Sequence, residues 1–162
     1  MNINEIGKQT EISSLIRLNL NYYINDEIFD VEYEGFYISH NQEWIFLETI
    51  DRWRQFEGYV LLKNNGKANY TKISGECSKR LEVTYSIDEI LQKIIKEREI
   101  VNICWKGHER LMGYLETYGD FLRFSQIDDY GENDGVILRD KAYIWAIQWN
   151  TLRERSLKLL RN

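Results

Sequence analysis

Few side chains in this sequence can do chemistry, and their spacing limits what that chemistry is. Asp30, Glu32 and Glu34 alternate with Phe29, Val31 and Tyr33. An extended strand puts all three carboxylates on one face, about 6.6 Å apart at ~3.3 Å per residue. That spacing suits a hydrolytic acid–base pair, an acidic surface for a protein partner, or simply a solvated strand face on which like charges cost some stability. A second acidic group, Asp128, Asp129, Glu132 and Asp134, shares a loop with Gly131 and Gly135. It lacks the ligand spacing and closing Glu of a calcium loop. The histidines are His40 and His108. Cys104 with His108 makes half a metal site or a nucleophile and base, but two residues are not a site. Gly66-Lys67 looks like the end of a phosphate loop, yet Leu61 stands where its first glycine is required and Ala68 replaces Ser/Thr. No catalytic residue, metal site or cofactor is therefore expected, and an enzyme centred on His40 or His108 is the weakest reading.

Composition sets the frame for these residues. The chain has 162 residues, 43% apolar and 14% aromatic, with no proline. That is ample apolar surface for a core, in one ordinary domain or two small ones. No apolar run approaches the ~20 residues that span a bilayer, so no membrane role is expected. The opening MNINEIGKQT has neither a basic nor an apolar signal region. A cytoplasmic location is expected, with Cys77 and Cys104 as reduced thiols that match no disulfide or zinc spacing. The formal charge of −5 and pI near 5.2 disfavour non-specific attraction to nucleic acid. The end of the chain runs the other way: Arg153, Arg155, Lys158 and Arg161 face only Glu154.

The elements that position these side chains occur twice. Gly35-Phe36-Tyr37, Trp44 to Leu47, Ile50-Asp51 and Glu57-Gly58 are followed downstream by Gly113-Tyr114-Leu115, Phe121 to Phe124, Ile127-Asp128 and Asp134-Gly135. The offset is 78 residues at the first glycine and 77 from the Ile-Asp pair onward, with a one-residue difference in the intervening turn. Alternation predicts strands over 16–24 and 29–33, then near 43–50, 57–63 and 68–74 in the first copy. Asn25-Asp26 is read as a turn and Asn64-Asn65-Gly66 as a hairpin. The second copy predicts strands near 100–105, 109–118, 120–127, 135–139 and 142–149. Short paired strands leave few places for a residue without an N–H, which agrees with the missing prolines.

Two helices complete the pattern. Ser86-Ile87-Asp88-Glu89 is a capping box, and Ile87, Ile90, Leu91, Ile94 and Ile95 then share one face, predicting a helix over 87–97. A basic helix is predicted over 151–160 and a further one within 2–14. The expected organisation is mainly β: two tandem five-stranded small barrels, residues 1–78 and 79–162, with the linking helix 87–97 and a C-terminal helix.

The second copy resembles the Sm-like family of five-stranded barrels through Gly113-Tyr114-Leu115, Asp120-Phe121-Leu122-Arg123-Phe124 and Leu138-Arg139-Asp140-Lys141. The first copy is a more divergent version through Gly35, Trp44 to Leu47 and Gly58. An SH3-like barrel has much the same pattern. The resemblance implies a nucleotide pocket built from an Asp and Asn of the first motif and an Arg-Gly of the second. Here Arg123 stands where Asn is expected, Asp140 replaces the Gly, and Leu61-Leu62-Lys63-Asn64 of the first copy lacks the arginine.

The same alignment brings Trp53 and Tyr130 to equivalent loop positions. Loop aromatics beside charge are typical interface anchors; otherwise both rings fold back over a barrel mouth. The leading reading is a non-enzymatic binding protein acting through a protein interface formed by Asp30, Glu32, Glu34, Trp53 and Tyr130. In size and charge it is similar to bacterial toxin-neutralising immunity proteins, whose partner would be a basic toxin. The alternative is an RNA-binding regulator using Arg52, Arg54, Arg153 and Arg155 with Trp53 as a stacking ring.

Overall fold

Alternating apolar residues make strands here, and among the described residues ten of them pair antiparallel into a single sheet. The structure, a computed structural model, describes residues 15–24, 26–65, 67–75, 77, 80, 85–106 and 109–160. The first half contributes β1 (Leu15–Ile24), β2 (Glu27–His40), β3 (Trp44–Ile50), β4 (Phe56–Lys63) and β5 (Asn69–Lys72). After α1 (Ile87–Glu97) come β6 (Ile100–Trp105), β7 (Glu109–Thr117), β8 (Phe121–Ile127), β9 (Asn133–Asp140), a 3₁₀ turn (Lys141–Tyr143), β10 (Ile144–Trp149) and α2 (Leu152–Leu160). The fold is mainly β, as expected. Its strands run β5-β1-β2-β3-β4-β10-β6-β7-β8-β9 in one open sheet, rather than as two separately closed ones. The helix predicted within 2–14 and the residues Asn25, Gly66 and His108 lie outside the described residues.

The predicted hairpin at Asn64-Asn65-Gly66 does not pair its own flanks. β5 pairs with β1, and β4 pairs instead with β10. The physical reason lies in what each strand can bury. β10 reads Ile-Trp-Ala-Ile-Gln-Trp and is almost wholly buried, whereas β5 is Asn-Tyr-Thr-Lys and mostly exposed. Against Val60, Leu61 and Leu62, each fully buried, the apolar strand is the better partner.

At two glycines the backbone of the neighbouring strand leaves no room for a Cβ. A Cβ at Gly35 would run into the backbone of Glu48 and Thr49, and one at Gly113 into that of Ser125 and Gln126. Each lies a few residues before a bulge in the same strand, between Tyr37 and Ser39 in β2 and between Leu115 and Thr117 in β7. A bulge of this kind increases a strand's local twist and bends it.

The core is shared by the two halves. One cluster joins Trp44, Phe46 and Leu61 of the first half to Ile103, Ile147 and Trp149 of the second, under the buried face of α1. Another surrounds Leu18, Leu20, Ile45 and Val60 and takes in Cys104, Trp145 and Ala146. Polar bonds cross the same seam: Trp44 Nε1 donates to Tyr118 Oη at 2.5 Å, and Lys141 Nζ lies 2.9 Å from Glu43 Oε1. Helix α1 forms where its capping box predicts. Ser86 Oγ accepts from Glu89 N, and the Glu89 carboxylate accepts from Ser86 N. Arg98, in the left-handed region at φ 50°, ends it.

Candidate functional site

Two acid-pinned loops lie at corresponding places in the two halves. Asp51 Oδ1 accepts from Trp53 N at 2.8 Å and Gln55 N at 2.9 Å. Asp128 Oδ1 accepts from Tyr130 N at 2.9 Å and Glu132 N at 2.8 Å. In both loops the acid's own N–H donates to the residue four positions on, and its C=O accepts from the residue three positions on. That third residue, Arg54 in one loop and Gly131 in the other, has positive φ in each case. A short side chain able to cap its own loop is what this turn requires. Its geometry turns the intervening aromatic outward. Trp53 is 65% exposed and Tyr130 80% exposed, so neither ring folds back over the sheet. The Arg52 guanidinium stacks 3.8 Å from the Trp53 ring centroid.

The Asp51 loop borders a groove of about 750 Å³ that straddles the junction between the halves. Four carboxylates, Glu32, Glu34, Asp51 and Glu57, line it against two guanidinium groups, Arg52 and Arg110. β2 supplies Glu32 and Glu34 from its exposed face, where Asp30 also lies, as the alternation predicts. Arg17, across from them on β1, lies 2.5 Å from Glu34 and 3.6 Å from Glu32, so that part of the ladder is partly neutralised. Burial and the nearby Asp51 charge push the Glu57 carboxyl up from its ordinary value. On the groove wall, Gln148 Nε2 donates to Tyr33 Oη at 2.6 Å, and burial raises that phenol well above its usual range.

A smaller groove of about 300 Å³ adjoins the Asp128 loop and shares Arg110 with the first. Asp128, Asp129 and Asp134 line it, and Arg153 from the start of α2 pairs there with Asp129. Tyr130 stands on this second loop, apart from the lining of the first groove. Glu32 and Glu34 thus line the first groove together with Asp51 and Arg52 of the loop that carries Trp53, whereas Asp30, Trp53 and Tyr130 are not among its lining residues.

The remaining arginines named from sequence are engaged within the protein. The Arg54 guanidinium packs against Gly75, and its carbonyl oxygen accepts from Cys77 Sγ at 3.1 Å. Arg155 donates to the Asn150 carbonyl at 2.6 Å and lies over Phe56. Cys104 is fully buried in β6, and burial pushes its thiol up to about 11. His40 ends β2, with Nδ1 hydrogen-bonded to Tyr37 Oη, and burial lowers its pKa from 6.5. Among the described residues no group of three or more His, Cys, Asp or Glu could hold a metal ion, and no helix is long and apolar enough to cross a membrane.

Residue-by-residue reasoning missed Arg110, Gln148 and Thr151 in the larger groove, because the β4–β10 pairing brings them there. Glu57 carried a usable signal, as the acid before the repeated glycine. No family model matches the chain, and neither a curated protein nor a solved structure matches it.

Proposed function

We propose that the chain is a non-catalytic binding protein that seats a basic segment of a protein partner in the groove beside the Asp51 loop. The observation that carries this reading is the excess of carboxylates in an open groove bordered by the loop that carries an exposed tryptophan. Carboxylates steer a cationic partner and set its register, and a rigid aromatic contributes contact area at little entropic cost. A basic toxin is the partner class this chemistry fits, in a toxin-neutralising role. The two halves, 1–78 and 79–162, are read as tandem small barrels of Sm-like or SH3-like type fused edge to edge. The matching glycines, bulges and acid-pinned loops support that reading.

The test is affinity capture from the native host. Wild type should retain a basic protein that Glu32→Lys/Glu34→Lys and Trp53→Ala each lose, with capture weakening as salt rises. Identical capture by all three proteins would refute the reading.

A second reading, RNA binding, draws on the opposite end of the seam. There Lys63 and Lys141 lie over Trp44 and Tyr118, and Lys106 and Arg139 lie over Trp105. It requires RNA affinity that falls steeply with salt. No mobility shift at low ionic strength would remove it.

A further inference from the structure

The two grooves are built from corresponding positions. The offset of 78 residues carries Glu32 and Glu34 of β2 onto Arg110 and Met112 of β7, and the offset of 77 carries residues 49–52 onto 126–129 and Glu57 onto Asp134. Strand pairing follows the same correspondence: Gly35 faces Thr49, and Gly113 faces Gln126. Apart from Asn102 and Arg153, every residue that lines the smaller groove corresponds to one that lines the larger.

Charge is distributed in the same way. Arg17 is paired with Glu32 and Glu34, and Arg153 with Asp129. Among the described residues no ion pair takes up Asp51 and Glu57 in one groove, or Asp128 and Asp134 in the other. No group of described acids could hold a metal ion; an organic cation with several donors is what these pairs suit. The smaller groove adds an acceptor of its own. Asn102 is 6% exposed, and its Oδ1 is buried without a hydrogen-bond partner. It lies opposite Met112 in the β6–β7 ladder, and residues opposite each other share a face of the sheet. Its side chain therefore points to the face from which Met112 and Arg110 line the groove. A buried acceptor left unpaired is costly, and a donor entering the groove relieves that cost.

Resting on the reading of the larger groove given above, we propose that the smaller groove is a second cation subsite. The partner's segment then presents two basic side chains, one to Asp51 and Glu57 and the other, a guanidinium, to Asp128, Asp134 and Asn102. Arg110 lines both grooves and repels a cation at their boundary, which keeps the two side chains apart. Holding one of them makes capture of the other intramolecular, so affinity rises through double occupancy.

The test is a heteronuclear NMR titration of the full chain at low, constant ionic strength. The probes are N-acetylarginine amide and a series of peptides with one arginine at each end of a flexible Gly-Ser linker of increasing length. The single arginine should give saturable shifts about both loops, 51–57 and 128–134. Asp134→Asn should remove those at 128–134 alone, and Glu57→Gln those at 51–57 alone. The best two-arginine peptide should bind at least about tenfold more tightly than the single arginine, and either substitution should abolish the gain. Shifts confined to 51–57 would overturn the proposal and leave the reading of the larger groove standing, whereas shifts at neither loop would overturn both. Two-arginine peptides that bind no more tightly at any linker length would also overturn it.

Discussion

Replacing Gly113 by alanine should be among the most damaging single-methyl changes in the second half. The added Cβ would lie 2.9 Å from Ser125 C and 3.0 Å from Gln126 Cα, with Ser125 O closer still. All of these are backbone atoms, so no side chain can swing aside, and β7 and β8 must separate. Overpacking in a well-packed site costs typically about 1–3 kcal/mol, and a clash with fixed backbone belongs at the upper end, about 3 kcal/mol. At roughly 2–4 °C per kcal/mol for a chain of this size, Tm should fall by about 6–12 °C in a calorimetric or circular dichroism melt. Gly35→Ala should behave alike, because Glu48 C and Thr49 Cα both lie 3.0 Å from its Cβ position. Gly119→Ala is the control: its nearest neighbour is Phe121 O at 3.9 Å. A drop below about 2 °C for Gly113→Ala, or equal drops for Gly113→Ala and Gly119→Ala, would refute the close-approach argument.

Asp128→Ala removes the acceptor for Tyr130 N and Glu132 N. It should destabilise the chain by about 1.5–3 kcal/mol, the range for hydrogen bonds to charged groups, in urea titrations read at constant m. Burial lowers the His40 pKa in the folded state, so the fold binds less proton there than the unfolded chain does. Its contribution is present above the unfolded value of 6.5 and is lost as pH falls through that value towards the lower folded one. His40→Gln should therefore flatten the Tm profile on the acid side of 6.5, and an unchanged slope would contradict this. Cys104, buried with its thiol raised to about 11, should resist thiol reagents until the protein unfolds. Cys104→Ser should leave native labelling unchanged, and a loss of native labelling would count against the burial argument.

Local signals were legible in the sequence and distant pairings were not. Ser86 and Glu89 announce α1 because capping is settled within four residues, and the alternation around Asp30, Glu32 and Glu34 assigns their face because strand geometry is equally local. The Ile-Asp pairs at 50–51 and 127–128 marked two loops, but the bonds that Asp51 and Asp128 make within them could not be read from that pattern. The joining of β4 to β10 was hidden. The turn residues 64–66 speak only for their own reversal, while the choice of partner for β4 depends on which distant strand buries more apolar surface. The groove inherits that limit. Glu32 and Glu34 could be named from pattern, but Arg110 and Gln148 reach it only through strand order. The outward aromatics follow from the capping bonds of Asp51 and Asp128, which residue type suggests and backbone geometry decides.

Hydrogen exchange of the full chain, free and saturated with the basic partner captured from its host, tests the proposed interface most directly. The groove reading predicts added protection over residues 30–34 of β2 and 51–57 around Trp53, with β7 protected about Arg110. Protection confined to the opposite end of the seam, at 63–65 and 139–143, would contradict it.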